Sequence, residues 1–221
     1  MTLDQLIALF RVDVDDRNDP PFWSDEAVTA WFDEAQQEAA IRADLLPEVS
    51  DDAICLIATT ANVHTYSLNE AVTKITHAQW LETGSTCPPT PLALKRRQDL
   101  DAQCPNWRTL IGEPEWLVLE QGKVRLAPTP TEAGALRIEC FRLPLDPLTD
   151  LSEPEIQAVH HRHLVHWPVY RAFSIPDADH FDEKRAGEAE ARFTAHFGPR
   201  VDADLKRTVE VEQQFFNKVW L

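Results

Sequence analysis

PPFWSDEAVTAWFDEAQQEAAIRADLLP, residues 20–47, sets the pattern from which the rest of the chain is read. Pro20 and Pro21 interrupt whatever precedes them, because proline fixes φ and offers no N–H donor. Ser24 is a good N-cap, and Asp25 and Glu26 put negative charge at the positive end of a helix dipole. Val28, Trp31, Phe32, Ala35 and Ala39 then recur at helical spacing along one face. The stretch predicts an amphipathic helix that Pro47 terminates.

The same period appears on both sides. Leu3, Leu6, Ile7 and Phe10 mark one face of a short N-terminal helix. From Pro154, Ile156, Val159, His163, Trp167 and Tyr170 mark another face, with Leu164 beside them and Pro168 expected to kink the helix. The turn SIPDADHFD leads into a helix near 182–197, whose face is Ala186, Ala189, Phe193 and Phe197 and whose stop is Gly198-Pro199.

Between these helices the texture changes. Ala53–Thr60 reads as a strand with Val63–Leu68 as its hairpin partner, and Val72–Trp80 as a further strand. GSTCPPTP, residues 84–91, is loop by composition, and Leu92–Gln103 reads as helix closed by Pro105. Glu115–Glu120, Lys123–Ala127 and Ala135–Leu143 read as three strands, turned first at Gln121-Gly122. In the last of them Leu136, Ile138 and Cys140 alternate with Arg137, Glu139 and Phe141, as in a sheet with one buried face. The expected fold class is α+β. Residues 1–48 and 151–200 form a helical bundle, 49–150 an inserted antiparallel β-rich subdomain, and 201–221 a C-terminal extension.

Bulk composition limits what such a chain does. With 221 residues, 43% hydrophobic and 26% charged, it is of ordinary globular type. No run of eighteen apolar residues is present to span a membrane, and the N-terminus lacks the basic region of a signal peptide. A net charge of −16 opposes groove-reading or wrapping of nucleic acid, although an acidic wall would keep passing DNA from sticking. Cys55, Cys87, Cys104 and Cys140 show no C-x-x-C pairing and read as reduced, mostly buried thiols.

Few residues suggest chemistry. His160, His161, His163 and His166, with Glu155 nearby, are the best metal or enzyme candidates, and a metal-dependent enzyme is the alternative reading. The cluster lacks an H-E-x-x-H spacing, so the plainer reading is an amphipathic helix with histidines at its margins. The acidic stretches Asp13–Asp16, Asp51–Asp52 and Asp177–Asp182 lack the pattern of a calcium loop. No G-x-S-x-G elbow or phosphate-cradling glycine loop occurs, and neither a cofactor nor a catalytic residue is expected. Trp107 and Trp116 flank a proline-bearing loop and read as lids over the sheet.

LKRTVEVEQQFFNKVWL, residues 205–221, crowds Phe215, Phe216, Val219, Trp220 and Leu221 into seven positions. Burying one such side chain is worth about 1.5–3 kcal/mol, so five left in water would cost several kcal/mol and promote aggregation. On a helix Val209, Phe216, Val219 and Trp220 share a face. The segment either closes the chain's own core or docks into another chain. Those five terminal residues are the expected partner-binding set.

Two segments then carry a family resemblance: LFRVDVDDRNDPPFWSDEAVTAWFDEAQQEAAIRADLL (9–46) and SEPEIQAVHHRHLVHWPVYRAFSIPDADHFDEKRAGEAEARFTAHFGPR (152–200). With PNWR, LAPTP and FRLPL between them, they resemble head-to-tail adaptor proteins of tailed phages and prophages. The order of helices, β-insert and returning helices is similar to that of tail tubular protein A from short-tailed phages. The resemblance implies a virion protein: a homo-oligomeric ring, a dodecamer, bound beneath the portal protein. It also implies a downstream tail, nozzle or stopper protein as the second partner. It further implies that genomic DNA passes through the lumen without sequence-specific binding, that no membrane is involved, and that assembly takes place in the host cytoplasm. Family members commonly anchor to the portal through a C-terminal extension, the place that residues 205–221 occupy. Another neck, tail-completion or minor capsid protein is the neighbouring alternative.

Overall fold

Ser24 caps its helix as its position predicts, the hydroxyl accepting from the Ala27 N–H at 3.3 Å. The computed structural model describes residues 1–120, 122–175 and 180–200. In chain order its elements are α1 (Leu3–Val14), α2 (Asp25–Ala43), β1 (Pro47–Glu48), α3 (Asp52–Cys55), β2 (Leu56–Thr59), β3 (Thr65–Ser67), β4 (Val72–Glu82), β5 (Thr90–Pro91), β6 (Ala93–Lys95), α4 (Arg97–Gln103), β7 (Trp116–Glu120), β8 (Lys123–Ala127), β9 (Gly134–Arg142), α5 (Ala158–Leu164), α6 (His166–Phe173) and α7 (Glu183–Phe197). The class is α+β. The chain divides into a helical unit, Met1–Pro47 with the described residues from Arg142 onward, and a β-rich unit, Glu48–Phe141.

The helical unit is built on apolar stripes. Leu3, Leu6, Phe10 and Val14 of α1 meet Val28, Phe32, Ala35 and Ala39 of α2, and Phe193 and Phe197 of α7 join the same core. Small residues at 35 and 39 let a neighbouring helix approach α2 closely. α2 ends at Ala43 rather than at Pro47, because Asp44 takes a left-handed C-cap (φ 48°), a conformation that short polar side chains tolerate. Past it, Leu46 is buried in the core.

The helix expected after Pro154 differs from its prediction. It is two helices, α5 and α6, separated at Val165. Proline at 168 has no N–H to give the Leu164 carbonyl, so the break falls one turn before it. Ile156 precedes the helix, and Val159 is 69% exposed; the inward residues of α5 are His161 and Leu164. α7 follows prediction, with Asp182 as N-cap to the Arg185 N–H and Ala186, Ala189, Phe193 and Phe197 buried.

In the β-rich unit two sheets pack face to face. One has the order β1-β9-β4-β5, with β2 also on β9; the other is β3-β8-β7-β6. Leu117, Val124 and Leu126 from the second meet Ile75, Ala78, Leu136, Ile138 and Cys140 from the first. The alternation read in β9 holds, and β7 and β8 form the expected hairpin.

Three expectations fail here. Ala53–Thr60 is not all strand, since Asp52–Cys55 is a helical turn capped by Asp51. β3 does not return onto β2; it pairs with β8, Tyr66 opposite Val124, while β2 pairs with β9. Within Leu92–Gln103 only Arg97–Gln103 is helical, and Ala93–Lys95 runs parallel to β7. Trp107 is buried with Leu100, Val118 and Ala127 on the outer side of the second sheet, and Trp116 packs beside them.

Candidate functional site

The predicted partner-binding residues, Phe215, Phe216, Val219, Trp220 and Leu221, lie outside the described residues. The described chain does fix the point from which their segment departs. α7 ends at Gly198, whose φ of 92° a side chain would disfavour. Arg42 of α2 reaches this end: its Nη1 donates to Thr194 Oγ1 at 3.3 Å and to the Gly198 carbonyl at 3.4 Å. The Arg42 side chain is fully buried, lies over the rings of Trp167 and Phe193, and pairs with Glu38 at 2.9 Å. Two residues on, Arg200 lies 5.1 Å from the Trp167 ring centroid and pairs with Glu190 at 3.3 Å. The C-terminal end of α7 is therefore anchored on α2 and α6. Sequence reading passed over Arg42, since a lone arginine near a helix end carries no sign of burial.

The histidine cluster is only partly the group the sequence suggested. His161 turns inward, its Nε2 donating to the Ile156 carbonyl at 2.8 Å and its Nδ1 accepting from the Met1 ammonium at 2.9 Å. His160 and His163 instead gather around His196 of α7, which sequence reading missed because it lies on another helix. His160 Nδ1 is 3.0 Å from His196 Nε2, and the His163 and His196 rings stack 3.6 Å apart at 12°. Burial, then the fields of His163 and its neighbours, hold His160, His166 and His196 below the ordinary imidazole value. Glu155 takes no part. It clamps Arg142 at 2.6 Å and accepts from the Leu145 and Asp146 N–H groups. Burial opposes its ionisation, but these donors hold its carboxyl below the ordinary value. Among the described residues, no group of three or more His, Cys, Asp or Glu is placed to hold a metal ion.

Other candidates resolve into structural roles. Asp16 is buried against the loop that precedes α2, accepting from the Phe22 and Trp23 N–H groups, from Asn18 and from Arg11 Nη1 at 2.6 Å. Burial opposes its charge, yet these donors keep its carboxyl below the usual carboxylate range. All four cysteines are free; Cys55 and Cys140 are buried, Cys104 is half-buried, and Cys87 is exposed, against the expectation of mostly buried thiols. Among the described residues no helix is long and apolar enough to cross a membrane.

The geometry thus offers helices that pack, a β-sandwich and an anchored C-terminal end of α7. No nucleophile, base and orienting group converge among the described residues in a way that spells out a reaction. No curated protein sequence matches the chain. A family model described as SU10 adaptor protein does match it, over residues 1–212, which takes in both units. On that match the chain belongs to the SU10 adaptor protein family and is a structural adaptor of a bacteriophage virion.

Proposed function

We propose that this adaptor forms a ring of twelve subunits beneath the portal protein of a tailed phage, joining the head to the tail. The observation that carries the reading is the family match across residues 1–212. Residues 201–221 serve as the docking tail, with Phe215, Phe216, Val219, Trp220 and Leu221 covered by the portal. Its support is energetic: five large apolar side chains within seven positions are too costly to leave in water. The opposite end of the ring receives the next tail, nozzle or stopper component. Genomic DNA passes through the lumen without sequence-specific contact, and the net charge of −16 favours slippage over adhesion. Assembly takes place in the host cytoplasm, and the protein has no catalytic role.

The test is attachment to purified portal rings. The full chain should co-sediment with them, and a chain lacking residues 208–221 should not, while keeping its circular dichroism spectrum. Undiminished attachment of the shortened chain removes the docking assignment. Electron microscopy of virions then reads the subunit number and the position of the ring directly.

A further inference from the structure

Four elements, β1, α3, β2 and β9, bring two thiols together. β1 and β2 both pair with β9, β2 over Gly134–Arg137 and β1 near the other end, where the Arg142 N–H donates to the Leu46 carbonyl at 2.9 Å. The turn α3 connects β1 to β2 and so lies beside the β9 residues between those two pairings. Two contacts hold it there: the Asp51 carboxylate accepts from the Ala53 N–H at 2.9 Å, and Arg137 of β9 pairs with Asp52 at 2.6 Å. Cys55, the last residue of α3, is fully buried in this position. On β9, Cys140 falls on the inward face with Leu136 and Ile138 and is buried too. The two side chains share one core, and their thiols are hydrogen-bonded to each other although the whole of β2–β8 lies between them in the chain.

Two thiols in hydrogen-bonding contact have side chains that already point at one another, which spares the backbone movement that a mismatched pair would need to form a disulfide. The other two cysteines lack this arrangement: Cys104 donates its thiol to Asn106 Oδ1 at 3.3 Å, and Cys87 is exposed. Burial raises the Cys55 pKa above its ordinary value, and the hydrogen bond to Cys140 offsets only part of that rise. The thiolate is the nucleophile, so closure is slow and needs sustained contact with an oxidant. Disulfides persist in oxidising settings that include virion surfaces, and this chain is a virion protein.

We propose that Cys55 and Cys140 are an oxidative modification site, a dithiol that hydrogen peroxide closes into a disulfide stapling α3 to β9. The Cys55 thiolate attacks one peroxide oxygen; the O–O bond breaks, a sulfenic acid forms and hydroxide leaves. The Cys140 thiolate then attacks that sulfur; the S–S bond forms, the S–O bond breaks and a second hydroxide leaves. The two thiol protons convert the hydroxides to two waters, so both sulfurs are oxidised and the peroxide is reduced. The link encloses β2–β8 in one loop and removes conformational freedom from the unfolded chain. It concerns the β-rich unit alone and does not depend on the portal-docking reading.

Hydrogen peroxide treatment of the purified full chain tests the closure, with Cys87→Ser and Cys104→Ser introduced to leave one thiol pair. Thiols counted in denaturant should fall from two to none per chain. A non-reducing digest of monomeric protein should give the Cys55 peptide joined to the Cys140 peptide, and dithiothreitol should restore both thiols. In urea the closed form should show an unfolded-to-folded ratio at least about thirtyfold lower than the reduced form. The same joined peptide is expected from the unsubstituted chain, whose digest keeps the test open where the substituted chain folds poorly. Thiols that survive prolonged treatment, sulfinic acid at either position in place of the link, or links only between separate chains overturn the proposal. A linked form no more stable than the reduced one also overturns it, since a staple across β2–β8 must act on the unfolded chain.

Discussion

Arg42 and Gly198 stand 156 residues apart in sequence and are joined by a hydrogen bond from the guanidinium to the glycine carbonyl. The contact closes the last turn of α7 onto α2, and it satisfies one of the carbonyls that a helix C-terminus leaves without an internal partner. The cation also suits the negative end of the α7 dipole.

Replacing Arg42 with Met keeps much of the packing over Trp167 and Phe193 but removes every hydrogen bond. The expected loss is about 2–3 kcal/mol, since Glu38 is partly exposed and can regain water while the Gly198 carbonyl cannot fully do so. Arg42→Lys keeps the charge but loses the fork that reaches Glu38, Thr194 and Gly198 together, and should cost about half as much. Urea unfolding of the three proteins measures both; an Arg42→Met variant as stable as the parent would show the latch to be idle.

Gly134 opens β9 directly beneath Trp80. A Cβ there would lie 2.5 Å from the Leu81 carbonyl oxygen and 2.6 Å from the indole. The indole is not free to retreat, being buried with its Nε1 donating to Thr59 Oγ1 at 3.0 Å. Gly134→Ala should therefore destabilise the β-rich unit by about 2–3 kcal/mol, seen as a lower thermal midpoint and a shift in Trp80 fluorescence. Thr59→Val, which leaves the indole N–H unpartnered in a buried site, should cost about 1–2 kcal/mol.

The helical faces were legible because they are local. Val28, Phe32, Ala35 and Ala39, and again Ala186, Ala189, Phe193 and Phe197, repeat at the helical period within one segment, and all eight are buried. The pairing of β7 with β8 was legible for the same reason, since a short turn at Gly122 (φ 65°) joins them. What failed depends on distant residues. β3 has the composition of a strand, but its partner β8 is selected by the sheet, not by its neighbour β2. Leu92 and Leu94 lie two apart, the strand period, and their packing against the sheet core keeps Ala93–Lys95 out of the helix that follows.

The candidate site was less legible than the fold. Starting the helical face at Ile156 put Val159 on the inner face, whereas α5 begins only at Ala158 and its inward residues are His161 and Leu164. His196 could be joined to His160 and His163 only once α7 was docked on α5. Nothing local in the sequence marks either effect.

Asp16 supplies a test of the loop between α1 and α2. Asp16→Asn keeps the shape but loses the charge that Arg11 and the Phe22 and Trp23 N–H groups address, and the expected loss at neutral pH is about 2 kcal/mol. Because the folded carboxyl titrates below its ordinary value, its stabilising contribution is complete above the unfolded pKa, about 4, and disappears as pH falls through the lower folded value. The difference between parent and variant in denaturant midpoint should accordingly shrink as pH falls below about 4. A gap that persists unchanged in acid would assign the effect to packing instead of charge.

The histidines act in a separate pH window. His160, His166 and His196 each have folded values below the ordinary 6.5, so in the range just under 6.5 the unfolded chain binds more protons than the folded one. Their contribution to stability should therefore be complete above about pH 6.5 and decline as pH falls through the folded values. Protonation of His196 also places a charge against the stacked ring of His163, in the contact that joins α5 to α7. His196→Gln keeps a polar side chain that does not titrate, and should flatten the dependence of the thermal midpoint on pH below about 6.5 relative to the parent. A parent protein whose midpoint is level across that interval would mean that the three imidazoles titrate alike in the folded and unfolded chain.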